Sequence, residues 1–326
     1  MKNKLWTSIW LVIGCLSLVA CDAQVNENSA ETAHNPANSV ALVTGITGNQ
    51  GGGVAATLLE KGYQIRGLTR DPSSAESQYW RNLGVEMVQG DFADYDSIDA
   101  ALVDADYLFI NLSEQVPDYI EASKHILDSA QKAGVKHLVY SSNTRSNPDL
   151  AAPASKTEIE IYLRESGYSY TTLRLPQMMS NFVRDRDMQN ILRNGVVGRG
   201  SESATLAYFA PDDLGLLAAA SFADTATWDG REVSLAGDEL TDKELVALLS
   251  ELSGLDIKYT PPPAEPDARW LANQGLSFDT ELLNREFPEI MTLREYLQQN
   301  DYGEKLRAMS LLPLPPETED RRRGGG

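Results

Sequence analysis

The sequence predicts a doubly wound α/β fold, a parallel sheet with helices on both faces, followed by a smaller C-terminal region. Three observations carry this. Val40 to Val43 is a short, unbroken apolar run, as a strand covered on both faces requires, and glycines at 45, 48 and 51 follow it at three-residue spacing. Strand-like and helix-like stretches then alternate as far as Arg174. With 42% apolar residues in 326, the chain can fill one large α/β domain and an appendage.

The first unit, from Ser39 to Asp71, reads as strand, glycine turn, helix (about Gly52 to Lys61) and returning strand (Gln64 to Thr69). Each glycine meets a separate physical need. Gly45 makes a tight turn, Gly48 admits a dinucleotide backbone, and Gly51 lets the helix pack close to the strand. The helix start presents free N–H groups and the positive end of its dipole, which suits a pyrophosphate. This is the Rossmann arrangement of a dinucleotide site. Arg70 closes the second strand, where a doubly wound fold reads the adenosine ribose. An arginine there pairs with a 2′-phosphate and favours NADP, whereas Asp71, one position on, keeps NAD possible.

GITGNQGGG, the strand end LTRDP and the later VEMVQGDFAD resemble the NmrA-like branch of the atypical short-chain dehydrogenases, over about Ser39 to Asn300. Ile46 stands where that family usually has alanine. The resemblance implies that Gly45, Thr47, Gly48, Asn49, Gln50 and Gly51 hold an NAD(P) cofactor with Arg70, Asp91, Phe92, Asn111 and Lys156. Asp91 would then lie by the adenine ring, or equally cap the helix that follows it.

Further along, Ser74 to Leu83 is helical, Val85 to Gln89 the third strand, Ser97 to Val103 a short helix, and Tyr107 to Asn111 the fourth strand. Asn111 falls at its carboxyl end, along the cofactor. Asp118 to Ala133 is a long helix stopped by Gly134, and Val135 to Ser141 is the fifth strand. His125 and His137 read as surface or packing residues, so no histidine cluster holds a metal.

Ser141, Ser142 and Asn143 end the fifth strand, where ordinary short-chain dehydrogenases use a serine with a Tyr-x-x-x-Lys pair. Lys156 opens the helix Lys156 to Ser166, but the residue four before it is Ala152, so the tyrosine is missing. Lys156 and Glu160 match instead the Lys-x-x-x-Glu of NmrA-like proteins. On composition alone they are an i, i+4 surface pair worth about 0.3–0.5 kcal/mol. The position predicts a ribose-binding lysine, and catalysis would rest on Lys156 with Ser142 or a water.

Tyr170 to Arg174 is the sixth strand, and Gln177 to Phe182 resembles the family segment lining the substrate pocket. Met178, Met179 and Phe182 are equally consistent with core packing. Arg184 to Asp187 reads as a solvated helix face, and Asp212 or Asp213 as a helix N-cap. Arg231 to Leu235 reads as a strand, Thr241 and Glu244 as a capping box, and Tyr259 to Pro263 as the end of a strand in a rigid extended segment. Two or three helices follow, through Leu297. The predicted organisation is a Rossmann domain at 39–176 and a mainly substrate-binding subdomain at 177–312. Residues 205–235 partly return to the first core, and 313–326 form a disordered tail.

Net charge is −19, from 47 acidic and 28 basic residues, which argues against a nucleic-acid partner. The N-terminus reads as a leader: Lys2 and Lys4, an apolar run from Leu5 to Val19, then Leu18-Val19-Ala20-Cys21, which resembles a bacterial lipobox. Cys21 would be acylated and anchor the protein in the cell envelope, at the periplasmic face of the inner membrane. A plain secretory signal and a transmembrane anchor are the second and third readings. Cys15 would leave with the leader, and the polar stretch to Asn38 would be a flexible tether. Three functions stay open on the residues. They are an NADP-dependent oxidoreductase of a small carbonyl, quinone or enone, a non-catalytic NADP-binding redox sensor, and a scaffold with a relic site.

Overall fold

The structure is a computed structural model that describes residues 34–144, 156–197, 205–261 and 278–313. The leader, Ala152 and the C-terminal tail lie outside these. No helix among the described residues is long and apolar enough to cross a membrane.

Strands β1 (Val40–Val43), β2 (Gln64–Thr69), β3 (Glu86–Gln89), β4 (Tyr107–Ile110), β5 (His137–Asn143) and β6 (Tyr170–Leu175) form one sheet. A later strand, β10 (Arg231–Ser234), joins it. The order is β3-β2-β1-β4-β5-β6-β10, and every pairing is parallel. Strand order reverses between β1 and β4, the switch point at which a doubly wound sheet opens its ligand crevice.

Side-chain alternation divides the core in two. Ala41 and Val43 face a cluster that holds α1 (Asn49–Glu60), the apolar helix α7 (Leu214–Ala223) and Leu283 and Phe287. Leu42 faces the opposite cluster, with α3 (Tyr95–Leu102), α4 (Tyr119–Ala133) and α5 (Thr157–Ser166). Helix α2 (Ala75–Asn82) sets Trp80 into the first cluster.

Helix α1 begins at Asn49, three residues before the sequence suggested. Three consecutive glycines are poor helix formers, but two of them admit neighbouring backbone. A Cβ on Gly51 would lie 2.4 Å from the Gly45 carbonyl oxygen, and one on Gly53 would lie 2.7 Å from the Asp212 Cα. Tertiary packing overrides propensity here.

The tether also ends sooner than expected. Asn35 caps a 3-10 turn over Pro36–Asn38, and Gln64 Nε2 donates to the Ala37 carbonyl at 2.7 Å, so this stretch is attached to β2.

A third apolar cluster lies in the C-terminal half, around Met179, Tyr208, Leu249, Leu297 and Leu306. It is built from α6 (Asp185–Asn194), β8 (Val196–Val197), β9 (Thr205–Phe209), β11 (Asp238–Thr241), α9 (Asp242–Ser253), α11 (Leu293–Gln299) and α12 (Tyr302–Ser310), whereas β7 (Gln177–Met178), α8 (Thr225–Trp228) and α10 (Thr280–Glu286) pack on the first cluster, and β12 (Tyr259–Thr260) pairs with β8. The Thr241–Glu244 capping box is formed, and Thr292 with Glu295 forms another. Neither Asp212 nor Asp213 caps α7 with its side chain. Asp213 instead accepts from the Met291 N–H at 2.9 Å, and burial pushes its carboxyl up to about 6.

Candidate functional site

The crevice starts where β1 and β4 end side by side. Thr44 N donates to the Phe109 carbonyl at 3.0 Å, and Asn111 N donates to Thr44 Oγ1 at 2.8 Å. Asn111 is thereby fixed against Gly45, which sits at φ +65°, a conformation that favours glycine. Gly48 N donates back to the Gly45 carbonyl at 2.9 Å, and α1 starts with no side chain capping it. Its first N–H groups therefore face the crevice with the positive end of the helix dipole. The Gly45–Gly51 contact leaves no room for a Cβ, so α1 packs directly against the turn and its N-terminus stays close to the crevice. These residues fit a dinucleotide pyrophosphate.

Ile46, the departure from the usual alanine, is fully buried. Its bulk is accommodated by Gly67 on β2, where a Cβ would lie 2.8 Å from Ile46 Cδ1.

At the end of β2, Arg70 is exposed, and its guanidinium makes no hydrogen bond or ion pair among the described residues. Asp71 is tied down: its Oδ1 accepts from Ser73 N at 2.8 Å and from Ser73 Oγ at 2.5 Å, which holds the carboxyl below its ordinary range. Gly90 N donates to the Thr69 carbonyl at 2.9 Å, which brings the end of β3 alongside. Asp91 there accepts from Ala93 N at 2.9 Å and remains exposed. The cap of α3 is Asp94, so the capping role expected of Asp91 belongs to its neighbour. Phe92 is half-buried against the second core cluster. A cleft of about 400 Å³ opens between the glycine turn (Ile46, Thr47, Gly48, Asn49, Gly52) and α2 (Ala75, Glu76, Tyr79, Trp80).

The second half of the site is the end of β5. Ser141 Oγ donates to Gln50 Oε1 at 2.6 Å, and the Gln50 amide reaches Met178 Sδ at 3.4 Å. Asn49 Nδ2 approaches Ser180 Oγ at 3.4 Å, so the start of α1 touches both β5 and the 177–181 segment. Lys156 is buried, donates from Nζ to the Ser141 carbonyl at 3.0 Å, and lies 5.8 Å from the centre of the Tyr140 ring. Burial lowers its pKa to about 8, against the opposing pull of Glu114 and Glu160. Tyr140 and Tyr119 share a hydroxyl hydrogen bond of 2.8 Å beneath it.

Strand alternation sets Ser142 on the face of β5 that carries Tyr140 and Lys156, away from the glycine turn, and its hydroxyl donates to Glu160 Oε1. Glu160 Oε2 accepts from Arg174 Nε at 2.9 Å and Nη2 at 2.6 Å. Arg174 also contacts Glu232, which Arg164 clamps at 2.6 and 2.7 Å. Glu160 is thus part of a buried charge network, and not the exposed partner in a surface pair. The serine facing the glycine turn is Ser141, which shares its face with Val139. Strand parity was the signal for it.

Met179 is fully buried in the third cluster and Phe182 packs at its edge, so both serve the core. His137 is buried between Ser169 and Thr171, and burial lowers its pKa to about 4. His125 Nε2 lies 3.0 Å from Asp99 Oδ1, and its ring stacks on Tyr95. No group of three or more metal-binding side chains occurs among the described residues.

The sheet order and glycine cradle define a protein of the Rossmann dinucleotide-binding class. Residues 37–279 match the NmrA-like family, and the chain belongs to that family. A relative from Streptomyces griseus, (4-alkanoyl-5-oxo-2,5-dihydrofuran-3-yl)methyl phosphate reductase, is 32% identical over 69% of this chain and 83% of its own. The NADPH-dependent quinone oxidoreductase QOR2 of Escherichia coli, solved with NADPH, is similar in fold. Its TM-score is 0.67 at 24% identity, over 80% of this chain and 99% of that one. NmrA, a negative transcriptional regulator solved with NAD, gives 0.66 at 16% identity, over 84% and 97%.

Proposed function

We propose that this protein is an NADP-dependent oxidoreductase of a small carbonyl, quinone or enone. The carrying observation is the end of β5, where a buried lysine of lowered pKa, Lys156, donates to the Ser141 carbonyl and the Ser141 hydroxyl donates to Gln50 at the start of α1. When bound, the nicotinamide would supply a hydride. Gly45, Gly48 and the start of α1 would hold the pyrophosphate, with Thr47, Asn49, Gln50, Asn111, Asp91 and Phe92 around the rest of the cofactor. Lys156 would give a proton to the oxygen that gains charge on the substrate, a step open to a group titrating near 8. The names of the Streptomyces reductase and the quinone oxidoreductase support this substrate class. Residues 177–312 would provide the substrate side, through the 177–181 segment. Oxidation of bound NADPH on mixing with quinones and enones tests the reading, and a flat trace across the panel would overturn it.

A second reading, an NADP-binding regulator without turnover, is favoured by two observations. Ala152 replaces the usual tyrosine, and the Ser142 hydroxyl is committed to Glu160. The regulator NmrA gives this reading a precedent in fold.

The choice of NADP rests on Arg70, whose guanidinium is open while the Asp71 carboxylate is tied to Ser73. Arg70→Ala is expected to weaken NADPH by about 1.5–3 kcal/mol, the worth of a hydrogen bond to a charged group, and NADH far less. Equal losses by calorimetry would remove Arg70 from this role.

Location is proposed on the first 21 residues alone: lipid attachment at Cys21 and an envelope-bound protein. Labelled palmitate is expected to enter the wild type and not Cys21→Ser. Incorporation that persists in the variant would leave the lipobox reading without support.

A further inference from the structure

We propose that Glu76 sets the balance between the two cofactors, by opposing a 2′-phosphate held at Arg70. This rests on the dinucleotide reading above. Glu76 lies in the first turn of α2 and lines the cleft, with Thr47 and Gly48 on the opposite wall. It is exposed and makes no hydrogen bond or ion pair among the described residues. The other groups around that end are accounted for. Asp71 is tied to Ser73, Arg81 donates to the Pro72 carbonyl at 2.7 Å, and Ser74 caps α2. Ser77, next to Glu76, donates from Oγ to the Asp71 carbonyl at 2.8 Å, so the first turn of α2 folds back on the loop after β2, and the open Arg70 guanidinium and the uncommitted Glu76 carboxylate belong to the same end of the site.

Charges within about 10 Å of each other still interact at ordinary salt, and more strongly when salt is low. A carboxylate roughly 7 Å from a doubly charged phosphate in water lowers affinity by about fivefold at low salt and by about two- to threefold at ~0.1 M salt. NADH carries the same pyrophosphate but no 2′-phosphate, so the difference between the two cofactors reports the 2′-phosphate alone. The protein accordingly binds NADPH less selectively than Arg70 alone would make it.

Calorimetry on the full protein tests this with NADPH and NADH, and with 2′,5′-ADP against ADP as probes of the adenosine end. At low salt, Glu76→Gln is expected to tighten NADPH and 2′,5′-ADP about fivefold more than it tightens NADH and ADP. The gain should shrink as salt is raised. Equal changes for both cofactors, or no change for NADPH, would overturn the proposal with the dinucleotide reading intact. So would a loss of NADH affinity alone, which would make Glu76 a reader of the 2′-hydroxyl. A wild type that binds neither cofactor would instead remove the dinucleotide reading, and this proposal with it.

Discussion

Gly51→Ala is expected to abolish measurable dinucleotide binding and to destabilise the fold by about 3 kcal/mol or more, at the upper end of what overpacking costs. The added Cβ would lie 2.4 Å from the Gly45 oxygen, 2.5 Å from its carbonyl carbon and 2.6 Å from the Thr44 oxygen. All three are backbone atoms, and none can rotate aside. Relief requires α1 to move away from the turn, which withdraws its N–H groups from the position of the pyrophosphate. Gly52→Ala is the control. Its Cβ would meet the Ile46 oxygen at 3.3 Å and Trp80 at 3.5 Å, contacts that small shifts relieve. Alanine also raises helix propensity by up to about 1 kcal/mol. Gly52→Ala should therefore stay within about 1 kcal/mol of wild type and bind NADPH. Urea unfolding and NADPH titration of both variants measure the contrast. A Gly51→Ala protein that binds like wild type would show that the glycine contact is not what shapes the cradle.

That cradle was legible in the sequence because its requirements are local. The glycine spacing and the apolar run before it fix β1, the turn and β2, and both strands have the bounds expected of them. What was not legible depends on partners distant in sequence. Gly51 was legible as a close-packing glycine, but the need for Gly53 appears only when the Pro211–Asp212 backbone is set against it. Glu160 read as half of a surface pair with Lys156, because Arg174 and Glu232 reach it only through the pairing of β5, β6 and β10. Ser142 was favoured over Ser141 by analogy of position. The alternation that places Val139 and Ser141 on the α1 face was available in the residues and outweighs the analogy. Glu76 carries no motif, and its relation to the cleft follows only from where α2 packs.

Lys156→Met should separate the enzyme from the regulator. In an enzyme that relies on this lysine for the proton, turnover should fall by about 10²–10⁴, the usual contribution of a general acid. NADPH affinity should fall by no more than about 1.5–3 kcal/mol, the value of a lost charged hydrogen bond to the ribose. The wild-type rate should decline as pH rises through about 8, where the buried ammonium loses its proton, and Lys156→Met should not show this limb. Stability should move the other way. The folded pKa is depressed from 10.5 to about 8, so below pH 8 the fold bears the cost of burying the charge. That cost is relieved as pH rises from 8 to 10.5, where the unfolded chain binds the extra proton. The shift corresponds to roughly 3 kcal/mol. Part of it is offset by loss of the bond to the Ser141 carbonyl, so Lys156→Met should be more stable than wild type at pH 7 by roughly 1–3 kcal/mol. A variant that gains stability and loses turnover, with binding nearly intact, identifies Lys156 as the proton donor. Unchanged turnover would remove that role, and a wild type that never oxidises NADPH would leave the binding protein.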